Sequence, residues 1–268
     1  MNNKPIGVFD SGIGGLTVLK ELFRVLPKES TLYLGDTARV PYGIRSAETV
    51  TRYSFENTGF LVSEGIKLLV VACNTVSAVS LEEIRKRVSM PVIGVIEPGS
   101  RAAAKTTRNR KVGVIGTEAT IGSNAYTRII KGFDDSIDVF GLPCPLFVPL
   151  VEEGLTEGEI AEIVAERYLK NVKDKGIDTL VLGCTHYPLL KNVIGKVMGS
   201  SIVLIDSAIE TVREIRKTLL RDGIEADSAA EPSRLFYLTD APERFRRVGE
   251  RFLGQRIEKI AKIDIGGR

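Results

Sequence analysis

Two short apolar runs, far apart in the chain, each end on a cysteine, and this pairing constrains the fold more than any other feature. Leu180-Val181-Leu182-Gly183 leads into Cys184-Thr185-His186-Tyr187-Pro188, where His186 is the single histidine of 268 residues. Leu68-Leu69-Val70-Val71-Ala72 leads into Cys73-Asn74-Thr75. Gly65-Ile66 precedes Cys73 by the same offset at which Gly176-Ile177 precedes Cys184. Short runs rich in Leu and Val read as buried strands. Open α/β sheets bind their ligands outside the carboxyl ends of such strands. Two thiols therefore hold equivalent places in two half-chains.

The rest of the chain repeats in the same sense. Pro5 to Phe9 reads as a strand, followed by the loop Asp10-Ser11-Gly12-Ile13-Gly14-Gly15 and a helix with Leu16, Leu19, Leu22, Phe23 and Leu26 at helical spacing. Lys111 to Thr117 echoes Lys4 to Asp10, and a helix bearing Tyr126, Ile129 and Ile130 follows. Further strands are expected at Thr31–Leu34, Val92–Ile96, Asp138–Gly141, Ile202–Ile205, Leu235–Thr239 and Ile257–Ile265. Helices are expected after Ser46, with Ala47, Val50, Tyr53 and Leu61 inward, after Cys73, over Glu157–Lys173, over Ser207–Leu220 and over Pro242–Leu253. Glu97-Pro98-Gly99 reads as a strand end, and Pro143 to Gly154 as an apolar loop closing on Glu152-Glu153.

Alternating strands and helices predict an α/β fold with mainly parallel sheets covered by helices on both faces. Duplication predicts two pseudo-symmetric αβα domains with the active site in the cleft between them. Residues 1–97 with 207–268 form the first, the C-terminal segment returning to it, and 98–206 the second.

The glycine loop after the first strand is neither a P-loop, which needs Lys-Ser/Thr, nor a dinucleotide fingerprint. It could gather backbone N–H groups around an anion, but Asp10 would repel a phosphate and suits a site that needs a base or a cation partner. As a plain alternative, Asp10 caps the helix. The loop Gly35 to Gly43 ends in Pro41-Tyr42-Gly43, where a hydroxyl and a bare amide could reach a ligand or simply form a surface turn.

A cysteine has an ordinary pKa of about 8.5, so a modest local push yields thiolate near neutrality. One thiol with His186 would suit a nucleophilic hydrolase or acyltransferase, which leaves the duplication unexplained. Cys73, Cys184 and His186 could ligate zinc, although distant strand ends lack the close spacing of such sites. A base and an acid on opposite faces of one carbon do account for the symmetry, because stereoinversion removes a proton on one side and returns one on the other. Buried cysteines can also be mere packing. Cys144, without an echo, is read that way, and a small-molecule binding protein remains the reading from a different class.

Composition narrows the field. A net charge of +3 is too mild to imply nucleic acid, and the basic run Arg244 to Lys262 has no aromatic platform beside it. It reads as a solvated helix and loop. Three cysteines without a Cys-x-x-Cys pair disfavour a disulfide framework and fit a reducing compartment. The chain opens Met1-Asn2-Asn3-Lys4-Pro5 with no apolar signal region and holds no membrane-length apolar stretch, so a cytoplasmic protein without membrane association is expected.

Asp10-Ser11-Gly12-Ile13-Gly14-Gly15, Pro41-Tyr42-Gly43, Ala72-Cys73-Asn74-Thr75, Val151-Glu152-Glu153-Gly154 and Gly183-Cys184-Thr185-His186-Tyr187-Pro188 resemble, in order, the motifs of glutamate racemases within the aspartate/glutamate racemase family. The resemblance is closer than to the aspartate or hydantoin racemases. It implies a cofactor-independent, metal-free isomerase that interconverts L- and D-glutamate for peptidoglycan synthesis. An aspartate or other amino-acid racemase of the same family is the alternative. By the same resemblance, Cys73 is the base for the D-enantiomer and Cys184 for the L-enantiomer. Asp10 assists Cys73, while Glu152 and His186 assist Cys184. Asp10, Ser11, Pro41, Tyr42, Gly43, Asn74, Thr75, Thr117, Thr120, Thr185 and His186 hold the substrate. Ala119 departs from the glycine expected between Thr117 and Thr120. A homodimer is compatible with the family. Without the N-terminal extension of some members, control by a cell-wall precursor is not expected.

Overall fold

The computed structural model describes residues 2–227 and 231–265. Ten strands occur there: β1 (Ile6–Asp10), β2 (Thr31–Gly35), β3 (Leu68–Val71), β4 (Val92–Gly94), β5 (Lys111–Gly116), β6 (Asp138–Pro143), β7 (Thr179–Gly183), β8 (Val203–Asp206), β9 (Arg234–Leu238) and β10 (Ile260–Lys262). They form a six-stranded sheet in the order β10-β9-β2-β1-β3-β4 and a four-stranded sheet in the order β6-β5-β7-β8. Every pairing is parallel. The inner order β2-β1-β3-β4 thus recurs as β6-β5-β7-β8, and the sequence echo is a topological one. In both sheets the cysteine strand lies beside the strand that precedes the glycine or threonine loop. Strands β9 and β10, from the end of the chain, extend the first sheet beyond β2.

The central strands are buried along their whole length, as strands covered on both faces must be. Register then fixes what emerges at their carboxyl ends. Phe9 pairs with Val71, and the Ala72 amide bonds the Phe9 carbonyl at 2.9 Å, so Asp10 and Cys73 leave the sheet side by side. Gly116 pairs with Gly183, which does the same for Thr117 and Cys184. One apolar cluster runs from Ile6, Val8 and Leu68 through Val114 and Leu182 to Ile215 and Phe252, so the two sheets share a core.

Several elements differ from the sequence expectation. Glu97-Pro98-Gly99 lies in the first turns of the helix Ile96–Thr106, not at a strand end. The stretch expected as an apolar loop contains the helix Phe147–Glu152. Pro98 and Pro149 each occupy the third helical residue, where the backbone N–H has no intrahelical partner to lose. The helix expected after Cys73 is broken into Asn74–Val79 and Leu81–Arg85, Ser80 lying between them. A helix Lys191–Met198, not anticipated, joins β7 to β8. The strand expected over Ile257–Ile265 shrinks to β10. Ser46 caps the helix Ala47–Ser63 as expected, accepting from the Thr49 amide, but Ala47 is exposed and the inward face includes Ser54, Asn57 and Thr58.

A buried ion pair ties the N-terminal segment to the stretch that follows the helix Ser207–Asp222. Lys67 Nζ lies 2.6 Å from Glu29 Oε2, both side chains almost fully enclosed, and donates to the carbonyls of Asn2 and Ile224. Glu29 Oε1 accepts from the Ala226 amide. Removing one partner strands the other charge. Lys67→Met or Glu29→Ala should lower the unfolding free energy in urea by roughly 3–5 kcal/mol, with the double substitution Lys67→Met/Glu29→Leu recovering much of the loss.

Candidate active site

The loop after β1 explains itself through Asp10. Its Oδ2 accepts the Gly12 amide at 2.9 Å, and the Gly15 amide bonds the same carboxyl. Two of the loop amides, those of Gly12 and Gly15, are thus engaged by a side chain of the loop itself. Burial raises the Asp10 pKa, offset in part by His186 and by these amides. Its Oδ1 is buried without a partner.

Gly14 is where the loop meets the other half of the molecule. A Cβ there would stand 2.1 Å from Thr185 Oγ1 and 2.6 Å from His186 Nδ1, so only glycine fits. Thr17, one helical turn on, donates to the Thr185 carbonyl at 3.0 Å. Gly43 makes the corresponding approach on the far side of the cleft, where a Cβ would fall 2.8 Å from the Thr117 Cβ.

Between these contacts lies a cavity of about 460 Å³. Of the residues singled out in the sequence, Ser11, Pro41, Tyr42, Gly43, Cys73, Asn74, Thr75, Thr117, Glu152, Cys184, Thr185 and His186 line it. Asp10 and Thr120 stand behind the wall. Thr120 belongs to a cluster of three hydroxyls: its Oγ1 is 2.9 Å from that of Thr117 and 3.4 Å from that of Thr75, which are 3.0 Å apart. The Tyr42 hydroxyl, expected toward a ligand, is instead engaged by Asp36 and by Asn57 Nδ2 at 3.2 Å. Val40, Ile44, Pro145, Val148 and Pro149 supply an apolar rim.

The two thiols differ in company. Cys73 Sγ lies 3.7 Å from Ser11 Oγ, and burial together with the Asp10 carboxyl pushes its pKa up to about 12. Cys184 Sγ lies 3.8 Å from His186 Nδ1, whose ring turns its Nε2 to Glu152 Oε1 at 3.1 Å. Burial opposes a charge on His186, but bonding to Cys184 and Glu152 overrides it and carries the ring up to about 10. Glu152 resists burial in turn and lies below its ordinary value, because His186 and Arg244 both hold its carboxylate. Cys144 is fully enclosed and packs away from the cavity lining, as a structural residue would.

Arg244 escaped the sequence reading. The basic run was expected to be solvated, yet Arg244 lines the cavity and its Nη2 donates to Glu152 Oε2 at 3.0 Å. Arg251 donates to the Glu152 carbonyl at 3.1 Å. Nothing in the local pattern distinguishes these arginines from Arg246 or Arg247; only the tertiary path of the helix Pro242–Leu253 does. Among the described residues no group of three or more His, Cys, Asp or Glu side chains is placed to hold a metal ion, and no helix is long and apolar enough to cross a membrane.

Geometry of this kind has known counterparts. The Asp/Glu/Hydantoin racemase family matches residues 6–215. A glutamate racemase from Geobacter metallireducens is 52% identical over 98% of this chain and 97% of its own length. Among solved structures, glutamate racemase from Francisella tularensis in complex with D-glutamate aligns with a TM-score of 0.93 at 40% identity, covering 98% of each chain. An isoform of the enzyme from Bacillus anthracis aligns with a TM-score of 0.95 at 43% identity, again over 98% of each chain.

His186 offers a direct check, because one histidine gives one imidazole signal. In the folded protein its carbon-bound protons should titrate near pH 10, and in urea near 6.5. A pKa raised by folding stabilises the native state fully below about pH 6.5. That contribution should fade as the pH rises through 10. An NMR titration together with urea unfolding at pH 6, 8 and 10 reads both, and a midpoint near 6.5 in the folded state would contradict the Glu152–His186–Cys184 arrangement.

Proposed function

The chain belongs to the Asp/Glu/Hydantoin racemase family, and we propose that it interconverts L- and D-glutamate by passing the α-proton between Cys73 and Cys184. The observation that carries this is the placement of two thiols at equivalent strand ends of repeated sheets, both lining one cavity. The near full-length similarity to glutamate racemases supports glutamate as the substrate.

In the L-to-D direction, a Cys184 thiolate takes the α-proton; the C–H bond breaks and an S–H bond forms. The Cys73 thiol delivers its proton to the opposite face, leaving a thiolate there. The reverse reaction exchanges the roles. Charge that develops on the α-carboxylate needs donors already in place, since preorganised hydrogen bonds are worth most in a site closed to water. Asn74, Thr75, Thr117 and Thr185 line the cavity as neutral groups that can serve as such donors, and the Ser11 hydroxyl suits the ammonium, with the Asp10 carboxyl behind the lining. The Cys73 pKa near 12 makes its thiolate scarce but strongly basic once formed. Closure of a domain formed by residues 1–97 and 207–268 on one formed by 98–206 would strip water from both sulfurs. Such a racemase supplies D-glutamate for peptidoglycan, which fits a cytoplasmic enzyme needing no cofactor, and a homodimer is part of the same reading.

Racemisation in deuterium oxide tests the proton path. L-Glutamate should yield D-product labelled at Cα early, while recovered L-glutamate stays largely protiated, and D-glutamate should give the mirror result. Unlabelled product would mean a single base returning its own proton. Cys73→Ser or Cys184→Ser should each lower racemisation by roughly 10²–10⁴, measured by optical rotation. Full activity in either variant would overturn the assignment.

Substrate length is a separate test. A pocket that pairs a distal carboxylate leaves polar groups unpaired when the substrate is one methylene shorter. kcat/KM should strongly favour glutamate over aspartate. Equal turnover would place the chain in another branch of the family.

A further inference from the structure

The helix Pro242–Leu253 follows β9 and lies beyond residues 6–215, the part that matches the family. It nevertheless touches the Cys184 side of the site at three points. Arg244 holds Glu152 Oε2, Arg251 holds the Glu152 carbonyl, and the Phe252 ring stands edge-on to His186 with centroids 5.4 Å apart. Glu152 is thereby gripped at both oxygens, Oε1 by His186 and Oε2 by Arg244.

We propose that Arg244 is a positioning residue for the proton transfer at Cys184, fixing Glu152 so that its other oxygen orients and charges His186. The inference rests on the two-thiol racemase reading. A carboxylate held by one oxygen can swing about its own axis, whereas one held by both presents a single face to the imidazole. His186 Nδ1 then stays directed at the Cys184 sulfur. The cation also sets the electrostatic level of the cluster. Glu152 is faced by His186, by Arg244, by Arg251 at its carbonyl and, farther off, by Asp10. His186 is faced by Cys184, Glu152 and Asp10. Removing the guanidinium charge favours protonation of Glu152, whose carboxylate it holds, so the titration of that carboxylate moves to higher pH.

The role is not one of holding the fold. The Arg244 side chain is 48% exposed, and half-exposed ion pairs contribute little to stability. Arg244→Gln should therefore shift Tm by no more than ~3 °C.

The test compares pH profiles of kcat/KM for glutamate racemisation in the wild type, Arg244→Gln, Arg244→Lys and Arg246→Gln. Arg246 lies on the same helix, paired with Glu243, and serves as the charge-matched control. In Arg244→Gln, kcat/KM should fall roughly ten- to a hundredfold, as small misplacements of catalytic groups do. Its profile should move up by roughly half a pH unit at low salt, and by less at high salt. Arg244→Lys should restore the position of the profile, and Arg246→Gln should match the wild type. A wild type that does not racemise glutamate would remove the underlying reading. A wild type that racemises, with Arg244→Gln leaving rate and profile unmoved or Arg246→Gln shifting the profile equally, would overturn the role of Arg244 alone.

Discussion

The contact of Gly14 with Thr185 and His186 is the constraint on which the site depends. The loop after β1 and the loop after β7 belong to different sheets, and they touch so closely that no side chain fits between them. Thr17 reinforces the contact by bonding the Thr185 carbonyl. Both loops leave fully buried strands, and the side chains of Thr185 and His186 lie directly against the Gly14 backbone. The cavity is what remains when the carboxyl ends of two repeated sheets are brought this close on one side and to the Gly43–Thr117 approach on the other.

Electrostatics inside that cavity follow from burial. Taking a carboxylate or thiolate out of water raises its pKa, which is the dominant influence on Asp10 and Cys73. On the opposite wall the same penalty acts on His186 and Glu152, but each supplies the other with a partner and Arg244 completes the set. One thiol therefore sits in an environment that resists charge, and the other next to a paired charge. Repeated topology did not produce repeated chemistry, because equivalent places in the two halves carry different residues, Asp10 where the second half has Thr117, and because a late helix adds Arg244 on the Cys184 side alone.

That division also describes what could be read from the sequence. The strands were legible because fully buried strands are written as unbroken runs of Leu, Val and Ile, and the cysteines marked their ends. Strands β9 and β10 join the first sheet beside β2. Helices Ile96–Thr106 and Phe147–Glu152 were hidden by Pro98 and Pro149, which look like breakers although a first helical turn tolerates them. The Tyr42 hydroxyl is held by Asp36, a partner that only the three-dimensional path of the loop reveals. Arg244 was hidden by charge statistics: in a run of arginines at a helix surface, the one that reaches a carboxylate across the cleft carries no local mark.

The unlike surroundings of the two sulfurs are compatible with a racemase for a thermodynamic reason. Enantiomers have equal free energies in water, so the equilibrium constant of the proposed reaction is one, and kcat/KM must be the same in both directions whatever the residues do. kcat/KM reflects one transition-state barrier measured from free enzyme and free substrate. A change on the Cys184 side alone, at Glu152 or Arg244, must therefore lower both directions equally in kcat/KM. Only kcat and KM separately can reveal which face was touched, through the stability of the complex with each enantiomer. The protein is free to support one base with a carboxyl and a serine and the other with an imidazole, a carboxylate and a guanidinium. Symmetry is required of the barrier, not of the groups that lower it.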